Sequence, residues 1–311
     1  IRKDSGALFE GLEISKNKQL CCIWQNQWPV LFLTLKSVEG LKFDSAYGML
    51  EAVISELCVE HFYLAESQVV NPVHREIFLR LAKKTASEEE IKNSLYTIMA
   101  MMQTHYGKRV ILLVDEYDVP LAKASENGYY KQMLDVIRGI LGQVLKGNSS
   151  LKFSVVTGCL RIAKESIFTG TNNFVSDTIS GRRFERYFGF TEKEVRELLE
   201  NTRFSEYKNE VKLWYDGYLF GREKIYCPWD VLNYINSLQD NPDAKPENYW
   251  KNTSHNGIIR SFIDRTDLAV NEKFEVLLAG GIIRERIEED LTYDVLHSSE
   301  ENLWSILYLT G

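Results

Sequence analysis

Apolar positions along this chain fall into two kinds of run, and the order in which they come sets out an architecture. Short, almost unbroken aliphatic stretches occur at residues 29–35 (PVLFLTL), 110–114 (VILLV) and 151–157 (LKFSVVT). A strand with solvent on one face alternates apolar and polar residues, whereas a strand covered on both faces is apolar throughout. The first two therefore read as buried, central strands of a parallel sheet, and 151–157 as a further strand of the same sheet. Between them the spacing changes to that of helices packed along one stripe. Residues 44–62 carry Met49, Leu50, Val53, Ile54, Leu57 and Cys58 on such a stripe. Asn71-Pro72 has the cap and first-turn proline of a second helix. Ser87-Glu88-Glu89-Glu90 opens a third with a capping box, followed by Ile91, Leu95, Ile98, Met99 and Met102 at core spacing. Residues 129–146 repeat the pattern through Met133, Val136, Ile137, Ile140, Leu141, Val144 and Leu145, and Gly147-Asn148 stops it. Strand, helix and strand in this order predict a right-handed crossover, which sets the end of 151–157 beside the end of 110–114.

The second part of the chain has a different texture. Residues 183–190 read as a shorter, edge-like strand running into FGFTEKEV, where Thr191 and Glu194 form a capping box and Phe190 opposes Val195 as a hydrophobic staple. Beyond it the pattern is helical and rich in aromatics at 206–215 and 228–238, with weaker helices near 258–263 and 273–278 and a loop at 242–246. The opening segment, 4–26, reads as irregular around a helical turn at 7–12. The expectation is an α/β core over 1–190 and a smaller, mostly helical subdomain over 191–311.

Composition narrows the classes. With 311 residues, 44% apolar and 26% charged, the chain has the make-up of an ordinary globular protein. No stretch approaches the ~20 apolar residues of a membrane span, and the start lacks a signal-peptide core, so a cytoplasmic protein is expected. The five cysteines, Cys21, Cys22, Cys58, Cys159 and Cys227, have no metal-ligand spacing and read as reduced. A net charge of −7 gives no overall attraction for nucleic acid.

The chemistry concentrates where the 110–114 strand ends, on Asp115, Glu116 and Asp118. Sites in open α/β sheets gather just past strand ends. An apolar strand ending in Asp-Glu is the pattern of a Walker B segment: Asp115 would hold Mg²⁺, directly or through water, and Glu116 would orient or deprotonate a water attacking a γ-phosphate. A bland reading, carboxylates at the positive end of a helix, fits the same residues. Thr157, at the tip of the neighbouring strand, is placed like a polar γ-phosphate sensor, or is a turn residue. Arg161 and Lys164 follow it closely enough to neutralise phosphate charge, Arg161 being the better placed, against the reading of a solvated loop. Arg182, Arg183 and Arg186 read as surface. The clusters WYDGY and YCPWD read as packing around turns. The five histidines are scattered without zinc or catalytic-triad order. A nuclease metal site on Asp115, Glu116 and Asp118 is disfavoured, because it would need a separated acid and a lysine. Residues 1–311 contain no GxxxxGK[ST] loop, the partner that a Walker B strand normally requires.

Taken together, ILLVDEYDVPLAKA, VVTGCLRIAKESIFTGTNNF, YFGFTEKEV, WYDGYLFG and IYCPWDVLNYI resemble the bacterial predicted AAA-ATPase-like family of P-loop proteins, often fused to a C-terminal nuclease of the PD-(D/E)XK type. The similarity runs over most of the chain, to ENLWSILYLTG. It implies a P-loop NTPase-like parallel sheet flanked by helices with a lid-like helical subdomain, and ATP and Mg²⁺ as cofactors. Asp115 and Glu116 become the Walker B pair, Thr157 the sensor, Arg161 a phosphate-side cation, and Asp118 and Lys164 further nucleotide-side groups. In the family a strand and a Walker A segment ending in Gly-Lys-Thr lie shortly before the stretch matching Ile1, so those parts and the nuclease are expected outside residues 1–311. The expected function is an ATP-hydrolysing switch, the alternative a non-catalytic module that keeps the scaffold. By itself the chain is expected to be inactive. Partners implied are nucleotide, a nuclease domain in the same parent chain, and further copies of the chain, since ATPases of this kind often complete a site with a neighbour's arginine.

Overall fold

The computed structural model describes residues 5–159, 174–250, 270–289, 291, 293 and 298–310. They divide into two compact units, one of Ile1–Phe174 with Thr292–Asp294, the other of Val175–Leu291 with Val295–Gly311.

The first unit is built on a three-stranded parallel sheet in the order β1-β2-β3, with β1 at Val30–Thr34, β2 at Val110–Asp115 and β3 at Leu151–Val156. Besides short helices at Glu13–Lys16, Lys18–Trp24 and Tyr63–Glu66, it has α1 (Phe43–Glu60), α2 (Pro72–Ala82), α3 (Glu88–Lys92), α4 (Ser94–Tyr106), α5 (Val119–Glu126) and α6 (Tyr130–Leu145). The start signals act as the sequence predicts. Asn71 accepts from the Val73 N–H to cap α2, and Ser87 and Glu90 close a reciprocal capping box on α3. All of the α6 stripe from Met133 to Leu145 is buried, and α6 and α4 pack against β3 and β2. Leu31, Leu33, Val110, Leu112 and Val114 face this helical layer and are buried.

Three expectations are corrected. The helix predicted from Ser87 breaks into α3 and α4 at Asn93, whose side-chain amide donates to the Glu89 carbonyl at 2.9 Å and so competes with helix continuation. The 29–35 strand, expected to be central, is β1 at the end of the strand order, and among the described residues only β2 is flanked on both sides. Nor are both sheet faces covered among the described residues: Phe32 is 53% and Phe153 54% exposed, beside exposed Val30 and Val155. An all-apolar strand signals that both faces suit burial; it does not say what covers each.

The second unit holds a small antiparallel sheet, β4 (Phe190–Thr191), β5 (Asp216–Phe220) and β6 (Glu223–Tyr226), in the order β4-β6-β5. With it are α7 (Glu192–Thr202), α8 (Lys208–Tyr215), α9 (Pro228–Asp240), α10 (Val270–Leu278) and α11 (Glu300–Thr310). Thr191 and Glu194 close the predicted capping box, and Phe190 packs on the cluster that contains Val195. The predicted strand at 183–190 shrinks to Phe190–Thr191, the preceding residues forming turns. A hairpin that the aromatic pattern concealed takes its place: Gly221, at φ +56°, supplies the left-handed residue between β5 and β6. The tyrosines of the aromatic clusters are core, as expected for packing residues, whereas Trp214 and Trp229 beside them are exposed: Tyr215, Tyr226 and Tyr234 are buried, and Tyr234 donates to Glu210 at 2.7 Å. The helix expected at 258–263 lies outside the described residues. No helix among the described residues is long and apolar enough to cross a membrane.

Two stability outcomes follow from these packing and capping contacts. Leu112→Ala, which empties a fully buried position of the central strand, should cost about 2–5 kcal/mol in urea unfolding. Thr191→Ala, which removes a side-chain cap, should cost about 0.5–2 kcal/mol, and its effect should be confined to amide exchange of the second unit.

Candidate functional site at the strand ends

The parallel register sets Thr34 opposite Asp115. On the other side the Thr157 N–H donates to the Val114 carbonyl at 2.9 Å, which makes Thr157 the partner of Asp115 on β3. Side chains directly across a sheet share a face, so Thr34, Asp115 and Thr157 form one row at the C-terminal edge. The Thr157 hydroxyl donates to Asp115 Oδ1 at 2.5 Å. Sequence reasoning found the carboxylate and one hydroxyl. It missed Thr34, because strand order is not written in a single strand's pattern.

After Asp115 the ladder is interrupted. In a regular parallel pair the Glu116 N–H would donate to the Thr157 carbonyl; here the Tyr117 N–H does so, at 3.1 Å. Glu116 is thus an extra, bulged residue, and its φ of +53° is the left-handed conformation that a bulge of this kind uses. For a residue other than glycine this costs roughly 1–3 kcal/mol, and such strain concentrates at functional sites. The bulge separates the acids. Asp115 and Glu116 stay half-buried, while Tyr117 and Asp118 turn inward.

Asp118 is 1% exposed. It is the N-cap residue of α5, yet its side chain does not cap that helix. Its Oδ2 accepts instead from the Cys159 N–H and from the Tyr293 hydroxyl, each at 3.0 Å. Asp118 thus stands at the positive end of α5, as the bland reading has it, without capping the helix by its side chain; the carboxylate ties the β2–α5 turn to the exit of β3. Gly158 lies between them because nothing larger fits: a Cβ there would stand 2.5 Å from Asp118 Oδ1 and 2.6 Å from the Tyr117 ring. Partial burial of the Cys159 thiol, reinforced by the charges of Asp118, Glu116 and Asp115, pushes it up to about 11.

Neither Asp115 nor Glu116 has an ion-pair partner among the described residues, and Asp115 Oδ2 and the Glu116 carboxylate receive no hydrogen bond there. Arg161 and Lys164 lie outside the described residues. Two open carboxylates beside hydroxyls form an all-oxygen donor set, which suits a hard divalent cation. Among the described residues no group of three or more His, Cys, Asp and Glu side chains forms a metal cage. Mg²⁺ is commonly held by one or two carboxylates with waters and phosphates completing the shell, so the donors present fit it.

Comparison with known proteins places the chain in a family. The model of the family described as "Predicted AAA-ATPase" matches residues 2–168, more than half of the chain, a span that includes every residue of the strand-end row. An "Uncharacterized protein in vnfD 5′ region" of Azotobacter chroococcum mcd 1 is 28% identical over 148 residues, covering 47% of this chain and 27% of that relative's length. No solved structure matches. The chain belongs to the predicted AAA-ATPase family.

Proposed function

We propose that the strand-end row is the metal and water half of an ATP-hydrolysing site, and that the chain is the ATP-driven switch domain of its parent protein. The observation that carries this reading is the bulge at Glu116, which parts Asp115, held by Thr157, from a second carboxylate that nothing among the described residues holds. In this reading Asp115 ligates Mg²⁺ directly or through water, and Thr157 fixes the plane of that carboxylate on the γ-phosphate side. Glu116 orients and deprotonates the attacking water. Mg²⁺ supplies charge neutralisation at the phosphates when bound. Arg161, Lys164 and Asp118 belong to the same proposal as two phosphate-side cations and the carboxylate that shapes the turn. Separate roles for the two acids are the reason a static pair of carboxylates is useful: a metal ligand must stay charged and fixed, whereas a base must be free to take a proton.

A second reading is favoured by one sequence fact. Residues 1–311 contain no GxxxxGK[ST] loop, and phosphate affinity comes chiefly from that loop and its lysine. On this reading the chain is a non-catalytic interaction module that retains the scaffold.

The two are separated by calorimetry and kinetics. Titration of Mg²⁺-ATP into this chain should give binding lost on Asp115→Asn if the strand-end row takes a metal nucleotide; no binding, or millimolar binding indifferent to Asp115, favours the module. In the full-length protein Glu116→Gln should retain ATP binding and lower turnover by about 10²–10⁴-fold, the usual contribution of a general base. Unchanged turnover would remove Glu116 from the mechanism.

A further inference from the structure

Tyr293 reaches the acidic turn from the far end of the sequence. It is 4% exposed. Its hydroxyl donates to Asp118 Oδ2 across 175 positions of chain, and the Ser125 hydroxyl on α5 donates to its carbonyl at 3.1 Å. Phenylalanine would fill the same space. A phenol is costly to bury unless its hydroxyl is bonded, and a buried carboxylate is costly unless donors surround it, so each group here answers the other's requirement. Burial, with the charge of Asp118 beside it, pushes the phenol far above its ordinary value, so it remains a donor at neutral pH.

One carboxylate oxygen thereby joins separate stretches of chain: the turn after β2 through Asp118 itself, the exit of β3 through the Cys159 N–H, and Tyr293. Glu116 and Asp118 lie on either side of Tyr117, whose N–H bonds to Thr157. Glu116, in a conformation that its own backbone disfavours, depends on these anchors for its direction. Asp115 is held separately, through Thr157 and through its carbonyl, which accepts from the Leu35 N–H at 3.0 Å.

We propose that Tyr293 is a positioning residue for the strand-end site, aiming Glu116 through Asp118 while leaving the Asp115 half untouched; its catalytic consequence rests on the ATPase reading above. The division between the two acids gives a specific signature. Losing the clasp misdirects the water-activating carboxylate and lowers turnover, while metal-nucleotide binding at Asp115 persists.

The test uses Tyr293→Phe, which deletes one oxygen, and Ser125→Ala, which loosens the same residue from its other side. In this chain without nucleotide, hydrogen exchange at 115–118 and 157–159 should rise about tenfold or more in Tyr293→Phe, as expected for loss of a hydrogen bond to a charged group. Ser125→Ala should give the same local pattern more weakly, with α6 unchanged in both. Adding Asp118→Asn to Tyr293→Phe removes the stranded charge and should restore protection. In the full-length protein Tyr293→Phe should lower kcat about tenfold with KM for ATP within about twofold of wild type. Unchanged exchange at 115–118 and 157–159, or exchange rising equally throughout the chain, overturns the proposal. A local rise in exchange in a wild-type background that never turns over ATP overturns the ATPase reading instead and leaves the clasp standing.

Discussion

The geometry at the strand ends depends on one misstep in a hydrogen-bond ladder. Where β2 and β3 part, the Thr157 carbonyl takes its hydrogen bond from Tyr117 and not from Glu116. An ordinary continuation would alternate the side chains, sending Glu116 to the opposite face from Asp115. The bulge inserts one residue, and the left-handed Glu116 turns the chain early enough to bury Tyr117 and Asp118 beneath the row.

Three acids within four positions thus have different fates. Asp118 is dry and served by a backbone amide and a phenol. Asp115 is half-buried and takes one hydroxyl; Glu116 is half-buried and takes no hydrogen bond among the described residues. Burying a carboxylate without donors costs several kcal/mol, so the donors around Asp118 explain why it can be inside. Among the described residues fewer donors surround the other two, which stay nearer the surface. Gly158 belongs to the same arrangement, since any side chain there would push the β3 exit away from Asp118 and Tyr117.

The second unit keeps its fold by other means. Its tyrosines supply area and end on acceptors, Tyr234 on Glu210 and Tyr215 on the Glu247 carbonyl at 3.0 Å. Gly221 turns the hairpin while its absent side chain leaves room for Glu185, whose Oε2 would lie 2.3 Å from a Cβ. The signal for that hairpin was present, a glycine between YLF and EKIY, but the aromatics on both sides read equally well as helix packing.

What the sequence determined by itself was local and periodic. Helix faces, caps and the apolar strands follow from spacing within a few residues, and the same is true of the acidic tip at Asp115 and Glu116 with its likeness to a family of ATPases. Even the adjacency of Thr157 to Asp115 was legible, because the handedness of a crossover is nearly fixed by chain twist. The tertiary structure alone decided what depends on register and on distant chain: Thr34 in the row, β1 at the end of the described strand order, the bulge at Glu116, and Tyr293 upon Asp118. Periodicity records which side of an element is apolar. It carries no record of which neighbour arrives there, since a ladder can slip by one residue, or a tyrosine 175 positions away can supply a donor, without altering the pattern.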